Sequence, residues 1–210
     1  MADATSALEP PHFLYIVDPM CSWCYGFSGV IAALAAQFEG RLPVRINVGG
    51  LRAGNTRAMS ADDKAYIKGA WQRVGEASGR SFDFAFFERE GFVYDTEPAC
   101  RAVVTMRTLA PERALSFVGV ISQAFYGANQ DTTDADVLAD LAREHGVDRT
   151  AFAETFIAPD TRNATFHDFL TAQQMGVHGF PTLLAKTGQG YQLVTNGFRP
   201  LEALADPLER

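Results

Sequence analysis

The sequence predicts an α/β fold in which a small sheet domain is split by a large all-helical insertion. Three observations carry this expectation. The first 50 residues alternate strand, helix and strand; a long middle stretch shows only helical spacing of its apolar residues; strand character returns near the end. The order β-α-β, helical block, β-β-α assigns residues 1–55 and 176–210 to the discontinuous sheet domain and 56–175 to the insertion.

The run Phe13-Leu14-Tyr15-Ile16-Val17 lies between Pro10-Pro11 and Asp18-Pro19, so residues 12–17 read as a short buried strand. In the next segment Phe27, Val30, Ile31, Leu34 and Phe38 fall at three- and four-residue spacing, one face of a helix, with Gly40 placed to end it. Pro43 to Val48 forms the second strand, stopped by Gly49-Gly50. A strand–helix–strand unit favours parallel pairing.

Ser60-Ala61-Asp62-Asp63 is a helix start with acidic residues in its first turn. Phe82 to Phe92 is aromatic-rich but broken by charges, which suits irregular chain or a short helix. Pro98 fits the first turn of a helix continued by Ala99, Ala102, Val103 and Met106. A further helix runs from about Pro111 to Tyr126, with Leu115, Val118, Ile121 and Phe125 on one side. Asp134 and Asp148 cap two more, and residues 161–175 form the last helix of the block. Thr182 to Ala185 and Tyr191 to Thr195 then pair as a hairpin about a turn at Gln189-Gly190, and Leu201 to Leu208 has helical character.

The formal net charge of −7 argues against a nucleic-acid partner, because phosphate binding rests on lysine and arginine. No apolar run approaches the roughly 18 residues that cross a bilayer. Met1 to Glu9 has no basic residue and lacks the build of a secretory signal, so the expected location is cytoplasmic, with no membrane partner. Three cysteines are too few for a disulfide-stapled secreted domain, so stability must come from the core.

Two of the three, Cys21 and Cys24, sit between the first strand and the first turn of the first helix. Unpaired backbone N–H groups and the helix dipole favour a thiolate there. Thiols so placed titrate between about 3.5 and 7.5, against about 8.5 for a free cysteine. Three-residue spacing brings the sulfurs within disulfide reach, with Cys21 facing outward as the attacking thiol and Cys24 beneath the helix as the resolving one. Other readings are two core thiols, half a zinc site and a structural disulfide. Asp18, Pro19 and Ser22 make a poor core segment; no second cysteine pair exists and His12, His145, His167 and His178 are scattered; a disulfide over so short a loop stabilises little.

A second segment bears on the same chemistry. Gly176-Val177-His178-Gly179-Phe180-Pro181-Thr182 leads into the returning strand. A proline entering a strand lacks the ladder N–H and is expected there for a reason such as a cis turn; the plain alternative is a loop proline.

Strand, Cys-x-x-Cys at a helix start, strand, helical insertion and Gly-Phe-Pro-Thr before a hairpin together resemble, over nearly the whole chain, the DsbA-like branch of the thioredoxin superfamily. The run Asp18-Pro19-Met20-Cys21-Ser22-Trp23-Cys24-Tyr25-Gly26-Phe27 is similar to the cytosolic FrnE-like subgroup usually labelled predicted protein-disulfide isomerase. The resemblance implies a thioredoxin-like fold and a thiol–disulfide oxidoreductase. In it Cys21 is the nucleophile, Cys24 the resolving thiol and Pro181 a cis-proline facing them. Phe180 presents backbone groups to an extended peptide, and Thr182 follows the usual pattern. Ser22-Trp23 stands where periplasmic DsbA has a histidine-containing dipeptide, which points to reductase or isomerase work rather than strong oxidation.

Substrate contacts are expected from Ser22, Trp23, Phe180, Pro181 and Thr182, and from His178, three residues before the proline, where a positive or hydrogen-bonding neighbour would help a thiolate. Trp23 and Tyr25 should be exposed, either as a contact surface or as a cover for the helix start. Phe82, Phe84, Phe86 and Phe87 read as packing between insertion and sheet domain, and Cys100 as a buried inert thiol. The expected partners are protein or peptide thiols and disulfides, with a redox-partner protein or glutathione as co-substrate. No metal or organic cofactor is implied beyond the redox-active Cys21–Cys24 disulfide. Two rival functions remain: a glutathione-dependent isomerase or transferase of the kappa and hydroxychromene-carboxylate isomerase type, whose members carry Ser at the position of Cys21, and a non-catalytic peptide clamp. Cys24 favours exchange chemistry.

Overall fold

The computed structural model describes residues 9–188 and 190–204. The N-terminal signal reading, the Gln189 turn position and the chain after Leu204 lie outside the described residues. Four strands make one mixed sheet: β1 (His12–Val17), β2 (Val44–Val48), β3 (Thr182–Lys186) and β4 (Tyr191–Asn196), in the order β2-β1-β3-β4. β1 pairs parallel with β2, Tyr15 opposite Ile46, and antiparallel with β3, Tyr15 opposite Leu183. β3 and β4 form the expected antiparallel hairpin, with a register shift between Leu183 and Leu184.

β1 reads as an unbroken apolar run because both of its faces are covered. Phe13, Tyr15 and Val17 join the main core, whereas Ile16 on the opposite face packs with Leu184, Ala172 and Val177.

The helices are α1 (Ser22–Gln37), α2 (Ala61–Ser78), α3 (Glu97–Leu109), α4 (Ala114–Ser122), α5 (Ala135–Glu144), α6 (Arg149–Ile157) and α7 (Pro159–Gln174). The Ser60 start is a full capping box: Ser60 Oγ accepts from Asp63 N while the Asp63 carboxylate accepts from Ser60 N. Asp134 and Asp148 cap α5 and α6 through their side chains. The segment 84–88 is a short 3-10 helix.

Two elements differ from expectation. The single helix expected over 111–126 is a 3-10 turn at Pro111–Arg113, then α4, then a wide π turn at Gln123–Gly127. The wide turn lets Gln123 reach Tyr25 and sets Tyr126 beneath it. The terminal helix is, among the described residues, only a 3-10 turn at Leu201–Ala203, ended by the extended backbone of Leu204.

The phenylalanines at 82, 84, 86 and 87 surround Trp71 of α2, with ring centroids 4.7–6.0 Å away. Tyr126 stacks on Tyr25 of α1 at 5.1 Å and meets Trp71 edge-on at 4.9 Å. This aromatic layer ties α1 to α2 and fixes α1 from behind.

Candidate active site: two thiols at a helix start facing a cis-proline loop

β1 delivers the chain to the site and Asp18 turns it. Asp18 is fully buried; its Oδ1 accepts from Met20 N at 2.8 Å and its Oδ2 from Leu51 N at 2.7 Å. Cys21 N donates to Asp18 O at 3.0 Å, and Cys21 becomes the N-cap of α1, with no side-chain cap. The first-turn amides that would donate to a cap therefore stand beside the sulfur.

Cys21 and Cys24 are both free thiols. The expectation that Cys21 faces outward is corrected: only 6% of it is exposed, against 1% of Cys24. The cause is the second segment, which folds over the helix start. The Phe180–Pro181 peptide is cis, and Cys21 Sγ lies 3.6 Å from Phe180 O. The Phe180 ring sits on Gly49, where a Cβ would come within 2.2 Å of two ring carbons, so the glycine is required by close approach.

The remaining expected residues divide. Ser22 and Trp23 are half-buried at the rim, the Trp23 ring 6.1 Å from Phe198. Thr182 is buried and its Oγ1 donates to Gly179 O at 2.8 Å, so it braces the loop from beneath rather than facing a ligand. His178 is exposed on the loop and makes no hydrogen bond to either sulfur among the described residues. The expectation that Tyr25 is exposed is corrected, since it is buried: its hydroxyl donates to Gln123 Oε1 at 2.8 Å and lies 3.1 Å from Ser81 O. The helix turns position 25 inward onto the aromatic layer, while position 23 stays at the rim.

Cys100 is buried as expected, with its Sγ 3.5 Å from Asp18 Oδ2. Burial, then the Asp18 charge, raises its thiol well above the usual range. Burial likewise raises the Cys24 thiol, and the neighbouring Cys21 sulfur adds to the effect. The inner sulfur is therefore held as a thiol.

Sequence reasoning missed three residues under the thiols. From the sequence Asp18 marks the strand stop and, with Pro19 and Ser22, a poor core segment; that expectation is corrected, because Asp18, Met20, Cys21 and Cys24 are all buried, the carboxylate being satisfied by backbone amides. Burial raises its carboxyl above the ordinary range despite hydrogen bonds from Thr96, Met20 and Leu51. Tyr94 donates to Met20 O at 2.6 Å and sits 3.0 Å from the Tyr126 hydroxyl. Tyr15 is 1% exposed, and its hydroxyl lies beside the Cys24 sulfur. Neither tyrosine could be placed without knowing the tertiary contacts. Among the described residues no three His, Cys, Asp or Glu side chains gather as a metal site needs.

The model of the DSBA-like thioredoxin domain matches residues 15–209. A candidate protein disulfide isomerase of Nitrosomonas europaea is 36% identical, with a TM-score of 0.87 over 93% of this chain and 94% of its own. The cytosolic disulfide reductase DsbM of Pseudomonas aeruginosa is 26% identical, with a TM-score of 0.75 over 88% of this chain and 89% of its own; it has also been solved with GSH. Among curated proteins, the ClpXP adapter protein SpxH of Halalkalibacterium halodurans is 22% identical over 84% of this chain. The chain spans 58% of the length of the curated relatives it matches.

Proposed function

The chain belongs to the DSBA-like thioredoxin domain family, and from that premise we propose that Cys21 and Cys24 exchange a disulfide with protein or peptide substrates, working as a reductase or isomerase. The observation that carries this reading is Cys21 Sγ at the uncapped start of α1, 3.6 Å from Phe180 O beside a cis-proline.

The Cys21 thiolate attacks one sulfur of a substrate disulfide. That S–S bond breaks, a Cys21–substrate disulfide forms, and the other substrate sulfur leaves as a thiolate and takes a proton. Cys24 then gives up its proton and attacks Cys21 Sγ. The Cys21–Cys24 disulfide forms, and the second substrate sulfur leaves reduced. The substrate has gained two electrons and two protons. Two glutathione molecules, or the dithiol of a partner protein, return them to the pair. A structure of DsbM with GSH supports glutathione in that role.

In this reading Ser22, Trp23 and the Phe180 backbone beside Pro181 form the rim against which an extended peptide lies. Thr182 holds that loop, and His178 marks its exposed end. No nucleic acid or membrane takes part, and the setting is cytoplasmic, as for the reductase relative. In the same reading residues 1–55 and 176–210 form the discontinuous thioredoxin-like domain and 56–175 the inserted helical domain.

The test is the reduction potential of the pair against glutathione buffers, read by mass after alkylation. Ser22-Trp23 supplies no cation to the Cys21 thiolate, so the expected value is nearer about −270 mV than about −120 mV. In parallel, Cys24→Ser should trap mixed disulfides and Cys21→Ser should abolish turnover. Failure of the pair to form a disulfide, or full turnover without Cys24, would overturn the reading, the latter in favour of glutathione-dependent isomerase chemistry.

A further inference from the structure

Behind the thiols, between α1 and α4, lies a cavity of about 470 Å³ that disulfide exchange does not use. Its size is that of a small-molecule site. Small residues open it: Gly29, Ala32 and Ala35 on α1, and Gly119 on α4. Gly119 is the informative one. It lies in the middle of a helix, where glycine weakens the element. Its backbone is not among those at positive φ, and a Cβ built there would meet no atom within 4 Å. Neither conformation nor crowding accounts for the glycine; what it preserves is empty space.

The polar groups of this cavity converge. Arg80 Nη2 donates to Ser28 Oγ at 2.7 Å, and Ser28 Oγ in turn donates its proton to Tyr25 O at 2.7 Å, so the guanidinium is held in place. The guanidinium carbon lies 5.3 Å from the centre of the Tyr25 ring. Among the described residues no carboxylate pairs with Arg80. A positioned guanidinium with spare donors and no anion suits a planar, bidentate acceptor. Tyr15 also lines the cavity, with its hydroxyl turned to the Cys24 sulfur rather than to a ligand. The hydrocarbon part of the wall comes from Ile31, Leu115 and Val118, with Ser116 beside them. The wall is completed by Gln123, the first residue of the π turn, and such turns recur at functional sites.

We propose that this cavity is a binding site for a small amphipathic carboxylate, with the carboxylate on Arg80 and the hydrocarbon tail between α1 and α4. The site is separate from the exchange reaction, so a Cys21→Ser variant binds as the parent does.

The experiment is calorimetric titration of the whole protein with octanoate, and with 1-octanol as the uncharged probe. Octanoate should saturate at one per chain. Gly119→Leu, which fills the cavity from a position free of neighbours, should weaken octanoate at least tenfold without lowering Tm. Arg80→Gln should weaken octanoate at least tenfold and 1-octanol less than threefold. Failure of octanoate to saturate, or unchanged affinity in Gly119→Leu, would overturn the site. Equal weakening of both probes in Arg80→Gln would overturn the carboxylate assignment.

Discussion

Among single residues, Asp18 does the most that the sequence does not announce. Its carboxyl holds the amides of Met20 and Leu51 and touches the Cys100 sulfur, so one side chain sets the bend that aims Cys21. Asp18→Ala leaves the buried Met20 amide without an acceptor, at a cost of about 1–3 kcal/mol; the Leu51 amide, nearer solvent, adds less. The pH dependence has a definite sign. Burial raises the native carboxyl above its unfolded value. Its contribution to stability is thus fully present below the ordinary aspartate pKa and is lost as pH rises through the raised native value. Urea denaturation of parent and variant at several pH values should show the cost of Asp18→Ala shrinking as pH rises. A cost that stays level or grows would mean that the carboxyl titrates normally in the folded protein. Cys21 and Cys24 were legible because their spacing and their place at a helix start carry chemical meaning. Asp18, Tyr15 and Tyr94 were not, since their roles depend on what covers them.

At the scale of elements, the site is a meeting of two: the first turn of α1 and the loop before β3. Gly49, at the end of β2, is the third party, because the Phe180 ring rests where its side chain would be. Gly49→Ala must push that ring aside and with it the carbonyl that Cys21 faces. The expected result is a slower exchange rate, by up to roughly a hundredfold if the loop moves by about 1 Å, with far-UV circular dichroism unchanged. A variant with the parent rate would show that the loop position is not set by this contact. Strands and helices were largely legible because β1 is apolar on both faces and the helices carry caps at Ser60, Asp134 and Asp148. The π turn was not, since helical spacing of apolar residues does not distinguish a wide turn from an ordinary one. The inward turn of Tyr25 was missed for a related reason: being next to a reactive cysteine says nothing about which side of the helix a residue takes.

For the whole molecule, the buried core is continuous from β1 and α1 through Trp71 to the helices of the insertion. A continuous core predicts one cooperative transition. Far-UV dichroism and alkylation of Cys100, buried in the insertion, should report the same urea midpoint. Two separated midpoints would mean that sheet and insertion unfold independently. The contact between Cys21 and Phe180 joins residues 159 apart in the chain. A ribosome adding about 5–20 residues per second produces the thiol roughly 10–30 s before the carbonyl that covers it. During that interval the nascent chain carries a dithiol without its lid, so its own synthesis is the period when the pair is most open to unintended partners.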